Sequence, residues 1–120
     1  MKKTILVVED HVIDFMMMKR MLVGRGDVDV IRHETLEGCE TIFFENLEAI
    51  DLVIMDACVP GDEPNSMPLI RKMKKSGFDK PIITASSKES YNQILLDAGA
   101  THNGKSKMGA VELALTLLGF

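Results

Sequence analysis

The segment formed by residues 51–60 reads DLVIMDACVP and decides the fold class. Its apolar part, LVIM at residues 52–55, is a short continuous run, which is the pattern of a strand buried on both faces of a parallel sheet. Similar runs lie on either side of it, TILVV at residues 4–8 and IITA at residues 82–85. A carboxylate, Asp56, directly follows the central run. The sequence therefore predicts a buried parallel sheet with an acidic residue at the end of one inner strand.

Longer segments with helical periodicity separate these strands, and the alternation predicts βαβ units around a parallel sheet. The predicted strands are residues 4–8, 28–32, 52–55, 82–85 and a fifth within residues 100–107. The predicted helices cover residues 12–23, a segment reaching residue 47, a segment ending near residue 77, a segment closed by residue 99, and residues 110–118. The fifth strand is assigned from topology, because ATHNGKSK is polar and has little strand propensity. The predicted fold class is α/β, a doubly wound three-layer sandwich of five strands and five helices.

Length and composition favour one globular domain over residues 1–120, with no output domain. The 120 residues are 46% hydrophobic and 27% charged, and the net charge of −4 disfavours direct nucleic-acid binding. No apolar run approaches the roughly 20 residues needed to cross a bilayer. Two cysteines, Cys39 and Cys58, do not form a disulfide framework, so we expect a reduced, cytoplasmic protein.

Polar side chains follow the predicted strands. Glu9 and Asp10 follow the first strand, Asp56 the third and Ser86 the fourth, while Lys105 lies near the end of the fifth. Ligand sites of open parallel sheets lie beyond the carboxyl ends of the strands, so these groups should meet at one edge. Three carboxylates in a small space need a cation, and a few hard oxygen ligands open to water suit Mg²⁺. The hydroxyl and the ammonium group would then contact a phosphoryl group.

Each of these residues alone has a simpler interpretation. An acidic pair after a strand is more often a solvated turn, a serine after a strand is more often a helix cap, and a single lysine usually faces solvent. The combination favours a phosphoryl site, because four strand ends supply the required groups in the required order.

Four segments resemble the signatures of response-regulator receiver domains of two-component signal transduction. They are ILVVED at residues 5–10, DLVIMDACVP at 51–60, PIITAS at 81–86 and AGA at 98–100. The resemblance implies a flavodoxin-like sheet with strand order 2-1-3-4-5. It makes Asp56 the phosphate-accepting residue and Ser86 the switch hydroxyl. Glu9, Asp10, Asp56 and the backbone carbonyl of Cys58 would bind Mg²⁺.

The resemblance also implies partners. A sensor histidine kinase or a phosphotransfer protein would supply the phosphoryl group from a phosphohistidine. The domain would assist its own phosphorylation and dephosphorylation, and we do not expect it to be an enzyme in the ordinary sense. Phosphorylation would change how the face made by the fourth helix, fifth strand and fifth helix binds a downstream protein or a fused output domain. We expect no membrane partner.

The fifth strand departs from the family pattern. The family's lysine usually lies seven residues after the glycine of the GA motif, which here falls on Ser106, and a cis proline usually follows it. A one-residue deletion would place Lys105 at the phosphoryl group and His102 at the switch position, and we favour this assignment. Lys107 is the alternative for the positive charge, and Asn103 is the alternative for the switch.

Cys58 and Lys88 lie two residues after Asp56 and Ser86, at positions whose side chains tune self-dephosphorylation in the family. Neither is an amide or a carboxylate that would position water, so we expect a long-lived phosphoaspartate. Two other functions are open. A degenerate receiver would bind partners without phosphorylation, and a phosphohydrolase would use Asp56 as its nucleophile. Cys58 is a poor substitute for the second aspartate that such a hydrolase uses as acid and base.

Two helices carry more apolar residues than one buried face requires. In the first helix, the methionines are expected to fill the core, namely Met16, Met17, Met18 and Met21. In the last helix, one apolar face is predicted to hold Val111, Leu115 and Leu118, and the opposite face Ala110, Leu113, Ala114 and Leu117. The second face would be covered by a following domain or linker, or by a partner or second copy in a homodimer.

Overall fold

Residues 2–120 are described by a computed structural model, in which the apolar runs form the inner strands of a parallel sheet. The strands are β1 (Lys3–Val8), β2 (Val28–His33), β3 (Leu52–Met55), β4 (Ile82–Thr84) and β5 (His102–Asn103). Their order is β2-β1-β3-β4-β5 and every pairing is parallel. The predicted α/β fold class and the strand order 2-1-3-4-5 are therefore confirmed.

Helices cover both faces of this sheet. They are α1 (Val12–Arg25), α2 (Leu36–Glu45), α3 (Met67–Lys75), α4 (Glu89–Ala98) and α5 (Lys107–Leu117). Successive strand side chains point to opposite faces, so Leu52 and Ile54 pack under α1 and α5. Val53 and Met55 pack under α2, α3 and α4. All four side chains of β3 are buried, as a central parallel strand requires. No helix in residues 2–120 has the length and apolar character needed to cross a membrane.

The edge strand β5 is only two residues long, and a close backbone contact leads the chain out of it. His102 pairs with Ile83 and Asn103 pairs with Thr84. The Gly104 nitrogen then donates a hydrogen bond to the Thr84 carbonyl over 3.0 Å. A Cβ atom at residue 104 would lie 2.2 Å from that carbonyl oxygen, so only glycine fits here.

The last helix differs from the prediction in its start and in its buried face. It begins at Lys107, because the Ser106 hydroxyl caps it by accepting a hydrogen bond from the Gly109 nitrogen over 2.9 Å. One broad face is buried, and it contains Ala110, Val111, Ala114 and Leu115. The predicted opposition of Val111 and Leu115 to Ala110 and Ala114 is wrong, because adjacent helix residues differ by only about 100° in direction.

The methionines of α1 are divided between the core and the surface. Met18 is buried, whereas Met16 is 62% exposed and Met17 is 45% exposed. The expectation that all of them fill the core is therefore wrong for these two. One side of α1 packs on the sheet and on α5, and the other side carries these thioethers to the surface.

Candidate functional site

The register of the two central strands brings the predicted carboxylates to one edge of the sheet. Val8 at the end of β1 lies opposite Met55 at the end of β3. The Asp56 nitrogen continues this pairing by donating to the Val8 carbonyl over 3.0 Å. Glu9 and Asp10 follow β1 at the same level, so the three carboxylates meet where the strand ends predict.

Burial and mutual repulsion shape the electrostatics of this acidic edge. Glu9 is almost fully buried, and Asp56 is half-buried. Burial first, and then the negative charge of Glu9, raises the pKa of Asp56 to about 7. The positive charge of Lys107 and a 2.9 Å hydrogen bond from the Ala57 nitrogen to Asp56 Oδ1 act in the opposite direction.

The carboxylate oxygens fit a divalent cation. Asp10 Oδ1 is buried and accepts no hydrogen bond from any residue in the described range 2–120. Side-chain ligand atoms of Glu9, Asp10 and His11 lie within 4.8 Å of one another. Buried carboxylate oxygens without donors are costly, and a hard cation such as Mg²⁺ satisfies such oxygens. Glu9 and Asp10 therefore supply oxygens of the kind that Mg²⁺ prefers, whereas the third member of this close group is His11 and not the expected Asp56.

The positive charge at this edge comes from Lys107. Its Nζ lies 2.8 Å from Glu9 Oε1 and 2.7 Å from Asp14 Oδ2. Burial alone would lower the pKa of Lys107, but the hydrogen bonds and charges of these two carboxylates, with that of Asp56, raise it. Lys107 is therefore charged at neutral pH.

Lys105, the favoured lysine of the sequence analysis, does not join the acidic cluster. It has a left-handed backbone with φ 67°, and its nitrogen donates to Asn103 Oδ1 over 2.9 Å. Its side chain is exposed and forms no ion pair with another residue of the described chain. The turn that follows Gly104 separates Lys105 from the cluster, and α5 begins two residues later with Lys107.

His102 and Asn103, the two candidates for the switch position, lie half-buried on β5. The His102 ring is 2.8 Å from Thr101 Oγ1, and Asn103 donates to Glu89 Oε1 over 2.9 Å. Neither residue lines the cleft that holds Asp56. A switch role for His102 stays a prediction.

A cleft of about 430 Å³ opens above Asp56 and gathers most of the other predicted residues. Its lining includes Cys58, Ser86 and Lys88 together with Lys107. The Ser86 hydroxyl accepts a 3.1 Å hydrogen bond from the Lys88 nitrogen. Burial, and then the charge of Asp56, raises the pKa of the Cys58 thiol. Asp56 and the other residues of this lining, namely Cys58, Ser86, Lys88 and Lys107, are thus open to one ligand.

Three residues that support this site were missed in the sequence. Asn92 is fully buried on α4 and holds the backbone of Ser86 through two hydrogen bonds of 3.0 and 2.8 Å. Arg32 donates to the carbonyls of Glu9 and Asp10 over 3.0 and 3.2 Å. Asp14 binds Lys107. In the sequence, an amide among the apolar residues of YNQILLDA could have indicated that Asn92 is buried. Arg32 and Asp14, in contrast, look like ordinary surface charges.

Solved structures share this architecture over nearly the whole chain. The non-phosphorylated receiver domain of the stress response regulator RcsB from Escherichia coli is 22% identical, with a TM-score of 0.71, and the match covers 99% of this chain and 95% of that one. The chain has the fold of a receiver domain.

Two other solved structures agree with this receiver fold. A protein from Chloroflexus aurantiacus assigned as a response regulator matches at a TM-score of 0.79 and 22% identity, over 100% of both chains. The RcsB response regulator of Salmonella typhimurium matches at 0.70 and 22% identity, and the match covers 98% of this chain but 61% of that one. No protein-family model and no curated protein matches the sequence.

Proposed function

We propose that this chain is a phosphoacceptor receiver of a two-component phosphorelay, in which Asp56 accepts a phosphoryl group from the phosphohistidine of a sensor kinase or phosphotransfer protein. The observation that carries the proposal is the acidic edge itself. Three carboxylates meet beside a cleft, one of their buried oxygens has no donor in residues 2–120, and a charged lysine faces them. This arrangement suits a dianionic phosphoryl group held with a cation.

Different residues of the chain would have different roles in the phosphoryl transfer. Asp56 Oδ1 is hydrogen-bonded to the Ala57 nitrogen, which leaves Oδ2 to attack phosphorus. The Oδ2–P bond forms as the N–P bond of the phosphohistidine breaks, and the electron pair returns to the imidazole, which takes a proton from water. Glu9, Asp10, Asp56 and the Cys58 carbonyl would hold Mg²⁺, which when bound neutralises charge on the phosphoryl oxygens.

Lys107, rather than Lys105, is the lysine we propose for the phosphoryl group, because its Nζ is already at the acidic edge. The Ser86 hydroxyl lines the same cleft and would leave its contact with the Lys88 nitrogen to donate to a phosphoryl oxygen. Cys58 and Lys88 line the cleft as well, where their side chains would govern the entry of hydrolytic water.

The output step belongs to the same proposal. The switch at Ser86 would alter the face formed by α4, β5 and α5, with His102 as the moving residue, and so change binding to a downstream protein or a fused output domain. The output would alternatively be the formation of a homodimer through α5. We also propose that the domain signals without enzymatic turnover of other molecules and that it is cytoplasmic, and two free cysteines support the second point.

The proposal is tested by incubating the protein with Mg²⁺ and a small acyl-phosphate donor and measuring the intact mass. We expect the added mass of one phosphoryl group, which disappears in Asp56→Asn. Asp62→Asn, which changes another aspartate lining the same cleft, is the matched control and should still be phosphorylated. A native protein that gains no mass and binds no Mg²⁺ would contradict the proposal.

That negative result would favour the second candidate, a degenerate receiver that binds partners without phosphorylation. The two-residue β5, with Lys105 turned to solvent, is the observation that motivates it. The complete set of three carboxylates argues for the first candidate.

A further inference from the structure

Lys107 is held by two carboxylates from different parts of the fold. Glu9 follows β1 and contacts Nζ through Oε1, whereas Asp14 lies in the first turn of α1 and contacts it through Oδ2. Asp14 has no part in the proposed transfer chemistry. It is nevertheless separated from Lys107 by 93 positions in sequence, and its hydrogen bond to Nζ, at 2.7 Å, is the shorter of the two contacts.

The backbone fixes only the base of the Lys107 side chain. Ser106 caps α5 and Gly104 packs against β4, so the Cα position of Lys107 is determined by the fold. Four methylene groups separate this Cα from the ammonium group, and ordering a free lysine side chain costs rotamer entropy. The ammonium group is therefore positioned by its ion-pair partners.

Binding of a cation would affect the two carboxylates that contact Lys107 differently. Glu9 is a candidate metal ligand, and its other carboxylate oxygen accepts a 3.1 Å hydrogen bond from the His11 nitrogen. A cation at Glu9 would draw that carboxylate away from Lys107 and would repel the ammonium group. Asp14 is 35% exposed and lies outside the buried edge, so it would stay available to Lys107, with His11 as its other neighbour.

We propose that Asp14 is a positioning residue: it holds the Lys107 ammonium group at the acidic edge while Mg²⁺ occupies Glu9, so that the lysine meets the incoming phosphoryl group already oriented. This inference rests on the proposed phosphoacceptor function and adds to it. The ion pair is partly exposed, so its contribution to the free energy of unfolding is small. The ion pair should instead affect the rate of phosphoryl transfer, because a rate depends more strongly on the orientation of the reacting groups.

Another contact of Asp14 and another ion pair between the same helices provide the controls. His11 Nδ1 lies 3.4 Å from Asp14 Oδ2, so adding Asp14→Asn to a His11→Gln background tests whether Asp14 acts through the ring instead. Arg25 at the end of α1 pairs with Glu112 in the middle of α5. A Glu112→Gln variant therefore removes a helix-to-helix ion pair of the same kind without touching Lys107.

The experiment measures the rate of phosphorylation by a small acyl phosphate at saturating Mg²⁺, as a function of donor concentration. In Asp14→Asn we expect the maximal rate to fall roughly tenfold, with the half-saturating donor concentration little changed. Asp14→Glu, which keeps the charge, should recover part of the rate. Glu112→Gln should react like the native protein, and Asp14→Asn should lower the rate in a His11→Gln background as well. Melting temperatures of all variants separate a loss of rate from a loss of folding.

A double-mutant cycle then identifies the route of the effect. In a Lys107→Met background, adding Asp14→Asn should slow the reaction no further, because the group that Asp14 positions is already gone. Four results would overturn the inference: an Asp14→Asn rate equal to the native rate, an undiminished effect in the Lys107→Met background, a Glu112→Gln rate lowered as much, or no effect of Asp14→Asn in the His11→Gln background. A native protein that is not phosphorylated at all would overturn the proposed function, and this inference with it.

Discussion

At the scale of the residue, a lysine can serve a site only if the backbone places its Cα within reach of that site. Lys105 and Lys107 are two positions apart, yet one is exposed on a left-handed turn and the other opens α5 and reaches Glu9. The polar segment ATHNGKSK did not reveal this difference, because nothing in its composition marks where the strand ends and the helix begins.

The two lysines should consequently differ in function. We expect Lys107→Ala to lower the rate of phosphorylation of Asp56 by roughly a hundredfold, the effect of removing a charge that stabilises the transition state. Lys105→Ala should leave the rate unchanged. Intact-mass measurements at short times with an acyl-phosphate donor check both variants, and the reverse pattern would show that Lys105 serves the site.

The carboxyl group of Asp56 should affect how the free energy of unfolding depends on pH. Its pKa in the metal-free fold is about 7, against an ordinary value of 3.8, so between these values the folded protein binds more protons than the unfolded chain. The free energy of unfolding contributed by this group therefore falls as pH rises from about 4 to about 7.

Asp56→Asn removes that dependence. Without divalent cations, we expect the variant to be more stable than the native protein at pH 8, by on the order of 2 kcal/mol, and the difference to vanish near pH 4. Urea unfolding at several pH values in the presence of a chelator measures this. An equal difference in the free energy of unfolding between variant and native protein at pH 4 and pH 8 would mean that the fold does not shift the pKa of Asp56.

The acidic residues show why part of the site could be predicted from sequence. Glu9, Asp10 and Asp56 each follow an apolar run directly, so strand prediction and site prediction are the same step. Asn92 and Arg32 support the site from a helix and an outer strand, where a polar residue normally faces solvent. Their contacts depend on tertiary packing, and no local pattern encodes them.

At the scale of the element, the passage from β5 to α5 depends on one residue without a side chain. A Cβ atom at residue 104 would lie 2.2 Å from the Thr84 carbonyl oxygen and 2.8 Å from the Ala110 Cβ. Backbone and helix are both rigid there, so neither can move away easily. The geometry of this passage also places Lys107.

Gly104→Ala should therefore reduce the free energy of unfolding by about 2 kcal/mol or more. Gly24→Ala is the matched control, because Gly24 lies inside α1 and a Cβ there would meet nothing within 4 Å. That variant should be more stable than the native protein by about 0.5–1 kcal/mol. Equilibrium unfolding in urea measures both, and equal effects would argue against the close contact at residue 104.

Elements with strong local patterns could be predicted, and those determined by their neighbours could not. The run LVIM is a buried strand in the structure as in the prediction. The faces of α1 and α5 were harder, because each helix is apolar on more sides than the sheet covers. Periodicity identifies an apolar face, but the packing partner decides whether residues such as Met16 and Met17 are covered.

At the scale of the whole molecule, folding itself creates the acidic edge. β1 and β3 are separated in sequence by a strand and two helices, and their carboxylates meet only after the sheet has formed. A cation that needs these carboxylates together binds the folded chain and not the unfolded one. Its binding free energy consequently adds to the stability of the fold.

We expect Mg²⁺ at a hundred times its dissociation constant to stabilise the native protein by about 2.7 kcal/mol, and a chelator to reverse this. Asp10→Asn alters the carboxylate whose buried oxygen has no hydrogen-bond donor among residues 2–120, and it should abolish most of the gain. Thermal unfolding with and without Mg²⁺ measures the effect. Equal stabilisation of the variant would place the cation elsewhere on the molecule.

The two thiols offer a built-in chemical reporter. Cys39 is fully buried, whereas Cys58 lines the cleft beside Asp56, the proposed phosphate acceptor. An alkylating reagent should therefore label the native chain at one position only, at a rate that slows when an anion and its cation fill the cleft. Mass-spectrometric labelling kinetics would then follow occupancy of the site in the unmodified sequence, with no engineered dye or tag.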